Sequence, residues 1–240
     1  MSASELTAVQ SQRDGAVVTI KLANGNENLL NPDIMNQLHD AIAAADEDEA
    51  VLAIVLTAAG EKFCGGLDVA EIQNGGDPVE FATALVRLLK LMPQIGTALV
   101  AAINGDALAS GFSIACACDL VVTVPEARLG TFEAGIGIWP MIAQVPPLQR
   151  LMPRHALQNI ITGVPFSAEE ALQFGAINRI VTADRLHRES REMALAASVA
   201  GPMLATGRKS FYRFCDLSYD DALDEALDAF TEMLKSPSTH

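Results

Sequence analysis

Short apolar runs recur along the first three quarters of the chain and alternate with segments of helical periodicity. Val51–Leu56 is a nearly continuous apolar run, which is typical of a strand covered on both faces. Ile34–Ala45 and Val79–Leu91 place their apolar residues at the spacing of an amphipathic helix. This alternation predicts an α/β fold. Further strands are predicted at Ala16–Leu22, Ala98–Ile103, Leu120–Thr123 and Ala176–Val181, and further helices at Gly111–Cys118, Arg154–Thr162 and Ser167–Phe174.

The last quarter of the chain shows helical periodicity alone. From Ala183 onward the helical pattern continues in two or three pieces, with an interruption at Gly201–Pro202. Between the regular segments, Glu71–Pro78 is predicted as a polar loop and Pro140–Pro147 as a proline-rich stretch. The chain is therefore predicted to have an α/β core over residues 1–195 and a helical C-terminal region over residues 196–240.

Composition limits the classes of function. The 240 residues fit one domain with a small appendage, and half of them are hydrophobic, so a large core is possible. The net charge of −14 argues against nucleic-acid binding and against anionic membrane surfaces, because both need cationic contacts. No apolar run approaches the length of a membrane span. The N-terminus lacks the basic and apolar regions of a signal peptide, which predicts a cytoplasmic protein.

The cysteines do not have the spacing of a metal site. Cys116 and Cys118 are separated by one residue within an apolar helical stretch, whereas zinc sites use wider spacings. Cys64 and Cys215 lie far from them in sequence. Buried, reduced thiols in a cytoplasmic protein are the favoured interpretation, and no metal is predicted.

Two glycine-bearing segments carry the candidate chemistry. Gly60–Asp68 and Asn104–Ser113 each follow an apolar run that is predicted as a buried strand. Two such turns can direct two backbone N–H groups at one point, which is the arrangement that stabilises a developing enolate oxygen. Glu133 follows them in the sequence and supplies a candidate base.

The order of these motifs resembles the crotonase superfamily, the enoyl-CoA hydratases and isomerases. The resemblance rests on Phe63–Asp68, Asn104–Gly111 and Gly130–Glu133, and it extends downstream through Ile161–Val181. Each motif is short, but their order and spacing together are specific. The resemblance implies a crotonase-like core of repeated ββα units with a helical C-terminal appendage.

The resemblance assigns roles to individual residues. The residue before Asp68 matches one oxyanion-hole donor of the family, which gives that role to the N–H of Leu67. The second donor lies in a Gly-Gly-Gly turn, which here is Ala109-Ser110-Gly111, so the N–H of Ser110 is the match. It would lie at a helix N-terminus, where the helix dipole also favours negative charge.

Position 113 separates the chain from the hydratases it resembles. Hydratases of the family carry two catalytic glutamates; the second matches Glu133, but the first falls on Ser113. Two interpretations of Ser113 remain: the side chain fills space, or it holds a water that sustains weak hydration. One base suffices to move a double bond from the 3 to the 2 position of an acyl thioester, so the prediction is an enoyl-CoA isomerase.

Other functions of the same fold stay open. A hydratase, a thioester hydrolase, a decarboxylase and a non-catalytic acyl-CoA binder all remain alternatives. A dienoyl-type isomerase is disfavoured, because the family's further acid is absent from Ile138–Ile142. The stretch Ala143–Leu151 differs from the family pattern where relatives shape the acyl pocket, so the substrate is left open. Trp139 and Met141 line an acyl channel or simply pack.

The resemblance also implies where coenzyme A binds. The backbone of Cys64, Gly65 and Gly66 would bind the adenine side, and Lys62 lies beside it, where it would face a phosphate. Lys235 loosely matches a lysine that reaches the 3′-phosphate in relatives. Coenzyme A is then part of the acyl-CoA substrate, and no separate cofactor is predicted.

Relatives usually assemble as trimers, often paired into hexamers, through their C-terminal helices. A homotrimer or hexamer is therefore expected here. The last predicted helix offers an apolar stripe suited to such burial. It consists of Leu223, Leu227, Phe230 and Leu234.

Overall fold

The computed structural model describes residues 7–235. Residues 1–6 and 236–240, which the predicted core and C-terminal region include, lie outside the described residues. The strands are β1 Val9–Asp14, β2 Val17–Leu22, β3 Ala53–Ala58, β4 Ala98–Ile103, β5 Ala107–Leu108, β6 Leu120–Thr123, β7 Arg128–Gly130, β8 Phe166–Ser167 and β9 Arg179–Ile180. The helices are α1 Pro32–Glu47, α2 Val69–Gln73, α3 Pro78–Leu91, α4 Ser110–Ala117, α5 Val145–Leu148, α6 Pro153–Thr162, α7 Ala168–Gln173, α8 Ala183–Ala197, α9 Met203–Cys215 and α10 Tyr219–Lys235, and Glu133–Ile136 forms a 3-10 turn.

A six-stranded sheet forms the centre of the molecule, in the order β1-β2-β3-β4-β6-β9. The β1–β2 pair is antiparallel, and the strands from β2 to β9 pair in parallel. Every residue of β4 is buried, and so are all but one of β3, as their continuous apolar sequences predict. Helix α8 packs across β3, β4 and β6. The predicted α/β class with a helical C-terminal part is confirmed.

A second sheet of three short strands, β5-β7-β8, carries the turns of interest. Strand β5 pairs in parallel with β7, and β7 pairs antiparallel with β8. Helix α4 begins two residues after β5, and the 3-10 turn begins three residues after β7. The parallel pair therefore brings the segments that precede Ser110 and Glu133 side by side.

One local prediction was wrong in part, and two elements were not predicted. Strand β1 was not predicted, because its sequence is mostly polar and it is a strand only through its pairing with β2 across the Gly15–Ala16 turn. The predicted loop Glu71–Pro78 begins with the end of helix α2, which Asp68 caps. The proline-rich stretch contains the start of α5, since proline is accepted in the first turn of a helix. The helix predicted at Ser167–Phe174 is observed as α7, and it begins with a capping box in which Ser167 and Glu170 exchange side-chain-to-backbone hydrogen bonds.

Helix α9 is fastened to the core by a polar cluster around Asp119. One carboxylate oxygen accepts from the Leu99 N–H at 2.8 Å and from Arg208 Nε at 2.8 Å. The other accepts from the Tyr212 hydroxyl at 2.7 Å. Asp119 thus has a structural role at the entry to β6, and its contacts extend to α9. The boundary predicted between residues 195 and 196 falls in the last turn of α8 and stays a prediction.

Helix α10 packs against α9 and contains no buried residue. None of the helices between residues 7 and 235 is long and apolar enough to cross a bilayer.

Candidate active site

The two glycine segments lie directly against each other. Cys64 forms a parallel bridge with Ala107: the Cys64 N–H donates to Asp106 O at 3.1 Å, and the Leu108 N–H donates to Cys64 O at 2.8 Å. A Cβ atom at Gly111 would lie 2.4 Å from Cys64 O. No side chain fits there, so the glycine allows the start of α4 to approach the first segment.

Gly66 brings the Leu67 peptide to the start of α4. Its φ of +107° lies in the region that favours glycine, and a Cβ there would lie 2.9 Å from Ala109 Cβ and 3.9 Å from Ser110 N. Leu30 bridges to Leu67 by donating to Gly66 O and accepting from the Asp68 N–H. In this parallel pattern the N–H of Leu67 itself points away from Leu30.

Ser110 is the first residue of α4, and its backbone N–H has no partner within the helix. The residue before it, Ala109, has φ +50° and ψ −120°, which is strained for an L-residue. A hydrogen bond from the Ala109 N–H to Gly130 O at 2.9 Å holds this conformation. Across residues 7–235, neither the Leu67 nor the Ser110 N–H has a hydrogen-bond acceptor. Two uncommitted donors therefore lie on adjoining segments.

Glu133 begins the 3-10 turn that follows β7 and is half-buried. Its Oε2 accepts a hydrogen bond from the Phe132 N–H at 2.8 Å. Burial raises the pKa of this carboxyl group above its ordinary value, and the hydrogen bonds from the backbone only partly offset that rise. A carboxylate with a raised pKa is a stronger base once it is deprotonated.

Asn159 fixes the segment between β7 and Glu133, and it was not predicted from the sequence. Its Oδ1 accepts from the Thr131 N–H at 2.8 Å and from Thr131 Oγ1 at 2.9 Å, while Nδ2 donates to the carbonyls of Thr131 and Val164. A Cβ at Gly163 would lie 2.7 Å from Gly135 N, so the end of α6 packs against the 3-10 turn. The sequence does contain a signal for this role, because Asn159 is an amide on the otherwise apolar face of the amphipathic helix α6.

Ser113 is fully buried on α4, and its hydroxyl group is occupied. Oγ lies 2.7 Å from Ala143 O and 3.2 Å from Ala109 O, and both carbonyls are acceptors. A hydroxyl group has one hydrogen to donate, so that hydrogen is committed to these carbonyls. The side chain joins α4 to the segment that follows Trp139.

The predicted coenzyme A residues occupy two places. Lys62 forms an ion pair with Glu27, with Nζ 2.6 Å from Oε2, and the Gly65 N–H donates to Glu27 O at 2.8 Å. The Cys64 thiol is buried, and burial raises its pKa to about 12, so it stays protonated at neutral pH. Lys235 ends α10 and pairs with Glu232 at 2.9 Å; within residues 7–235 no hydrogen bond or ion pair joins it to the glycine segments.

Comparison with known proteins identifies the family. A family model described as enoyl-CoA hydratase/isomerase matches residues 12–240. The chain belongs to the enoyl-CoA hydratase/isomerase family. The predicted membership of the crotonase superfamily is thereby confirmed, and the protein is an acyl-CoA enzyme of that superfamily.

Relatives of this enoyl-CoA hydratase/isomerase family member cover most of its length. A short-chain-enoyl-CoA hydratase of Clostridium acetobutylicum is 32% identical over 235 residues, which are 95% of this chain and 90% of that protein. A crotonyl-CoA hydratase of Syntrophomonas wolfei is 31% identical over 185 residues, which are 75% of this chain and 69% of that protein. The structure of an enoyl-CoA hydratase from Mycobacterium smegmatis superposes with a TM-score of 0.90 at 26% identity, and covers 96% of this chain and 92% of its own.

Proposed function

We propose that this protein is a Δ3-Δ2 enoyl-CoA isomerase that works with Glu133 as a single base. The observation that carries the proposal is at position 113, where a buried serine gives its hydroxyl hydrogen to backbone carbonyls. That position has neither a carboxylate nor a free proton donor. Isomerisation needs only one group that removes and returns a proton, so it is the reaction that this set of residues supports best.

In the proposed reaction the thioester oxygen of a 3-enoyl-CoA accepts hydrogen bonds from the N–H groups of Leu67 and Ser110. Glu133 removes a proton from C2, and the electron pair of that bond moves toward the carbonyl, which becomes an enolate. The enolate electrons then form the C2–C3 double bond, the former C3–C4 double bond opens, and C4 takes the same proton back from Glu133. Each donor in such a pair is worth about 3 kcal/mol of transition-state stabilisation.

The coenzyme A part of the substrate is proposed to lie along Cys64, Gly65 and Gly66, beside Lys62, at a point where Gly65 is partly exposed and its two neighbours are buried. Glu27 already pairs with the Lys62 ammonium group, so a phosphate there would have to share that cation. Lys235, at the end of α10, is proposed to reach a phosphate of the nucleotide. The reaction requires no cofactor beyond the coenzyme A that the substrate carries.

Hydration is the second candidate, and the names of the relatives favour it. Both curated relatives cited above are named hydratases. In hydration, Glu133 would activate a water molecule, and the second proton of that water would have to be transferred without a carboxylate at position 113. The two candidates use the same donors and the same base, so substrate assays separate them.

The proposed function predicts that the purified protein isomerises a 3-enoyl-CoA faster than it hydrates crotonyl-CoA. Ser113→Ala should keep isomerisation within a few fold and cost about 1 kcal/mol of stability, because it removes a structural hydrogen bond. Ser113→Glu should raise hydration by supplying the second carboxylate. Steady-state assays with both substrates and thermal unfolding of each variant provide the measurements.

Two results would contradict this proposal. One is wild-type hydration that exceeds isomerisation; the other is a Ser113→Ala variant that loses activity far beyond its loss of stability.

A homotrimer is the proposed assembly, and α10 is the proposed contact. Leu223, Leu227, Phe230 and Leu234 are each more than half exposed in the single chain, on a helix with no buried residue. Such a stripe is costly to leave in water. Light scattering should therefore give three times the 25.4 kDa chain mass, or six times if trimers pair.

Leu227→Lys is expected to lower that mass, because it places a charge in the stripe. Asp228→Lys, on the neighbouring exposed face of the same helix, should leave the mass unchanged. A monomeric wild-type protein would exclude the proposed assembly.

A further inference from the structure

The side chain of Asn159 on α6 is 2% exposed, and every hydrogen-bonding position of its amide group is used. Oδ1 accepts twice from Thr131, and Nδ2 donates to the carbonyls of Thr131 and Val164. An amide group has two acceptor positions and two donor hydrogens, so no position is left for a further partner. Three of the four hydrogen bonds reach one residue, and together they fix the backbone of Thr131.

The bond from Asn159 to Thr131 O acts on the peptide unit that holds Glu133. The C=O of Thr131 and the N–H of Phe132 belong to one planar trans peptide, so they point in opposite directions. Asn159 Nδ2 donates to the carbonyl end at 2.9 Å, and the N–H end donates to Glu133 Oε2 at 2.8 Å. A rotation of this peptide plane would break both bonds. The direction of the N–H that holds the carboxylate therefore depends on Asn159.

The same segment is bonded to the turn at the start of α4. Gly130 O accepts from the Ala109 N–H at 2.9 Å, and Ala109 precedes the proposed donor Ser110. Gly130 also lies directly against the Asn159 amide group, because a Cβ at Gly130 would lie 2.7 Å from Nδ2. Asn159 thus fixes a segment that is bonded to the donor turn on one side and continues into the base on the other.

A second contact joins α6 to the 3-10 turn. Gly163 ends α6 with a φ of +63°, and an added Cβ would lie 2.7 Å from Gly135 N and 3.0 Å from Phe132 O. The Gly163 N–H donates to Asn159 O at 2.8 Å, so both contacts belong to the last turn of the same helix. The backbone around Glu133 is therefore held by α6 on the residues before it and after it.

The elements next to Glu133, β7 and α6, carry three titratable side chains: Arg128, Arg154 and His155. None of these three shifts the pKa of Glu133. Burial raises that pKa, and hydrogen bonds from the N–H groups of Phe132 and of Glu133 itself lower it. The protonation of the base is thus controlled by its burial and by the backbone that holds it.

We propose that Asn159 is a positioning residue of the reaction: through the Thr131–Phe132 peptide it holds the Glu133 carboxylate where proton transfer can occur. The inference rests on the proposed function, in which Glu133 is the base, and it adds a residue that acts only through the backbone. A misplacement of about 1 Å at a reacting group can cost about 100-fold in rate. A side chain outside the reacting groups can therefore control kcat.

Asn159→Ala is expected to lower kcat for isomerisation about 100-fold, while the affinity for hexanoyl-CoA, measured by calorimetry, changes less than about threefold. The pKa of Glu133, measured by NMR of the side-chain carboxyl carbons, should rise above that of the wild type, because the Phe132 N–H no longer holds the ionised form. Glu133→Gln identifies the NMR signal. A merely structural role would change neither the pKa nor kcat without affinity.

Asp46→Ala is the matched control. Asp46 on α1 also fixes the backbone of another segment, because its Oδ1 accepts from the Gly96 N–H, the Thr97 N–H and the Thr97 hydroxyl. These contacts precede β4, whereas the second glycine segment follows it, and six strand residues span about 20 Å. Both variants should lose similar stability in thermal unfolding, but Asp46→Ala should keep kcat within a few fold.

Gly163→Ala tests the hold of α6 on the turn without removing the amide group, and it decides the matter if Asn159→Ala does not fold. The added Cβ displaces the 3-10 turn and should lower kcat by about tenfold or more. Gly15→Ala is its matched control, since the φ of Gly15 is +62° and nothing lies within 4 Å of the added Cβ. Both variants bear similar backbone strain, so only Gly163→Ala should lose kcat.

Equal kcat in Asn159→Ala and Asp46→Ala, or an unchanged Glu133 pKa in Asn159→Ala, would overturn the inference and leave the isomerase proposal standing. Equal kcat in Gly163→Ala and Gly15→Ala would overturn it if Asn159→Ala does not fold. If the wild-type protein isomerises nothing, but the Glu133 pKa rises in Asn159→Ala and not in Asp46→Ala, the positioning role holds and the proposed reaction fails.

Discussion

Replacement of Glu133 by Gln is expected to lower kcat for isomerisation by about 1,000-fold, within the usual range for removal of a general base. The amide keeps the shape of the side chain but cannot accept the C2 proton. Substrate affinity should change little, because the Leu67 and Ser110 donors are untouched. Glu126→Gln is the matched control: it makes the same change at an exposed carboxylate seven residues earlier in the chain. Single-turnover rates and acyl-CoA binding measured in parallel provide the check.

The raised pKa of Glu133 gives this variant a second signature. The base works only when deprotonated, so wild-type kcat/KM should fall as pH drops through a pKa above the ordinary Glu value of about 4.3. Because the folded-state pKa is raised, Glu133 favours the folded state when protonated, and this contribution is lost as pH rises through that pKa. Glu133→Gln should therefore be at least as stable as the wild type at pH 7, and this advantage should vanish near pH 4.

A Glu133→Gln variant that keeps most of its activity would remove the carboxylate from the proposed mechanism. An inactive variant that is also clearly less stable at pH 7 would point to a structural role for Glu133 instead.

Gly66→Ala is expected to lower kcat by about 100-fold to 1,000-fold, the usual cost of one lost oxyanion donor. The added Cβ would meet Ala109 Cβ at 2.9 Å, so the Leu67 and Ser110 peptides must move apart. Gly75→Ala is a closely matched control, since its φ of +109° is nearly equal to the +107° of Gly66, but nothing lies within 4 Å of the added Cβ. Both variants bear similar backbone strain, of about 1 kcal/mol.

Steady-state kinetics and thermal unfolding of the two alanine variants separate strain from donor geometry. Similar losses of stability with a loss of kcat in Gly66→Ala alone would support the proposed donor pair. Equal activity in the two variants would show that the spacing of the two segments does not matter for the reaction.

Elements whose formation depends mainly on neighbouring residues could be predicted from the sequence. Strand β4 was predicted at its observed residues, because a strand of six consecutive apolar side chains must be buried on both faces. Helix α7 was predicted from its sequence, and its start is stabilised by a capping box between Ser167 and Glu170, which are only three residues apart. Strand β1 was not predicted because its mostly polar sequence does not indicate a strand. Its backbone hydrogen bonds are made with β2.

The candidate site shows the same difference between features set by nearby residues and features set by distant ones. Leu67, Ser110 and Glu133 were singled out because glycine turns after buried strands are visible in the order of residues. The hydrogen bonds between Asn159 and Thr131 were missed, because the two residues are 28 apart in sequence and meet only once α6 packs against the 3-10 turn.

Sequence by itself determined the family, the class of fold, and the two turns and the carboxylate that the proposed chemistry uses. Tertiary structure decided what those residues have around them. The hydroxyl of Ser113 is bound to a carbonyl 30 residues later, and Lys62 is paired with a carboxylate 35 residues earlier. Hydrogen-bond partners and desolvation arise from packing between distant segments, and no local pattern of residues encodes them.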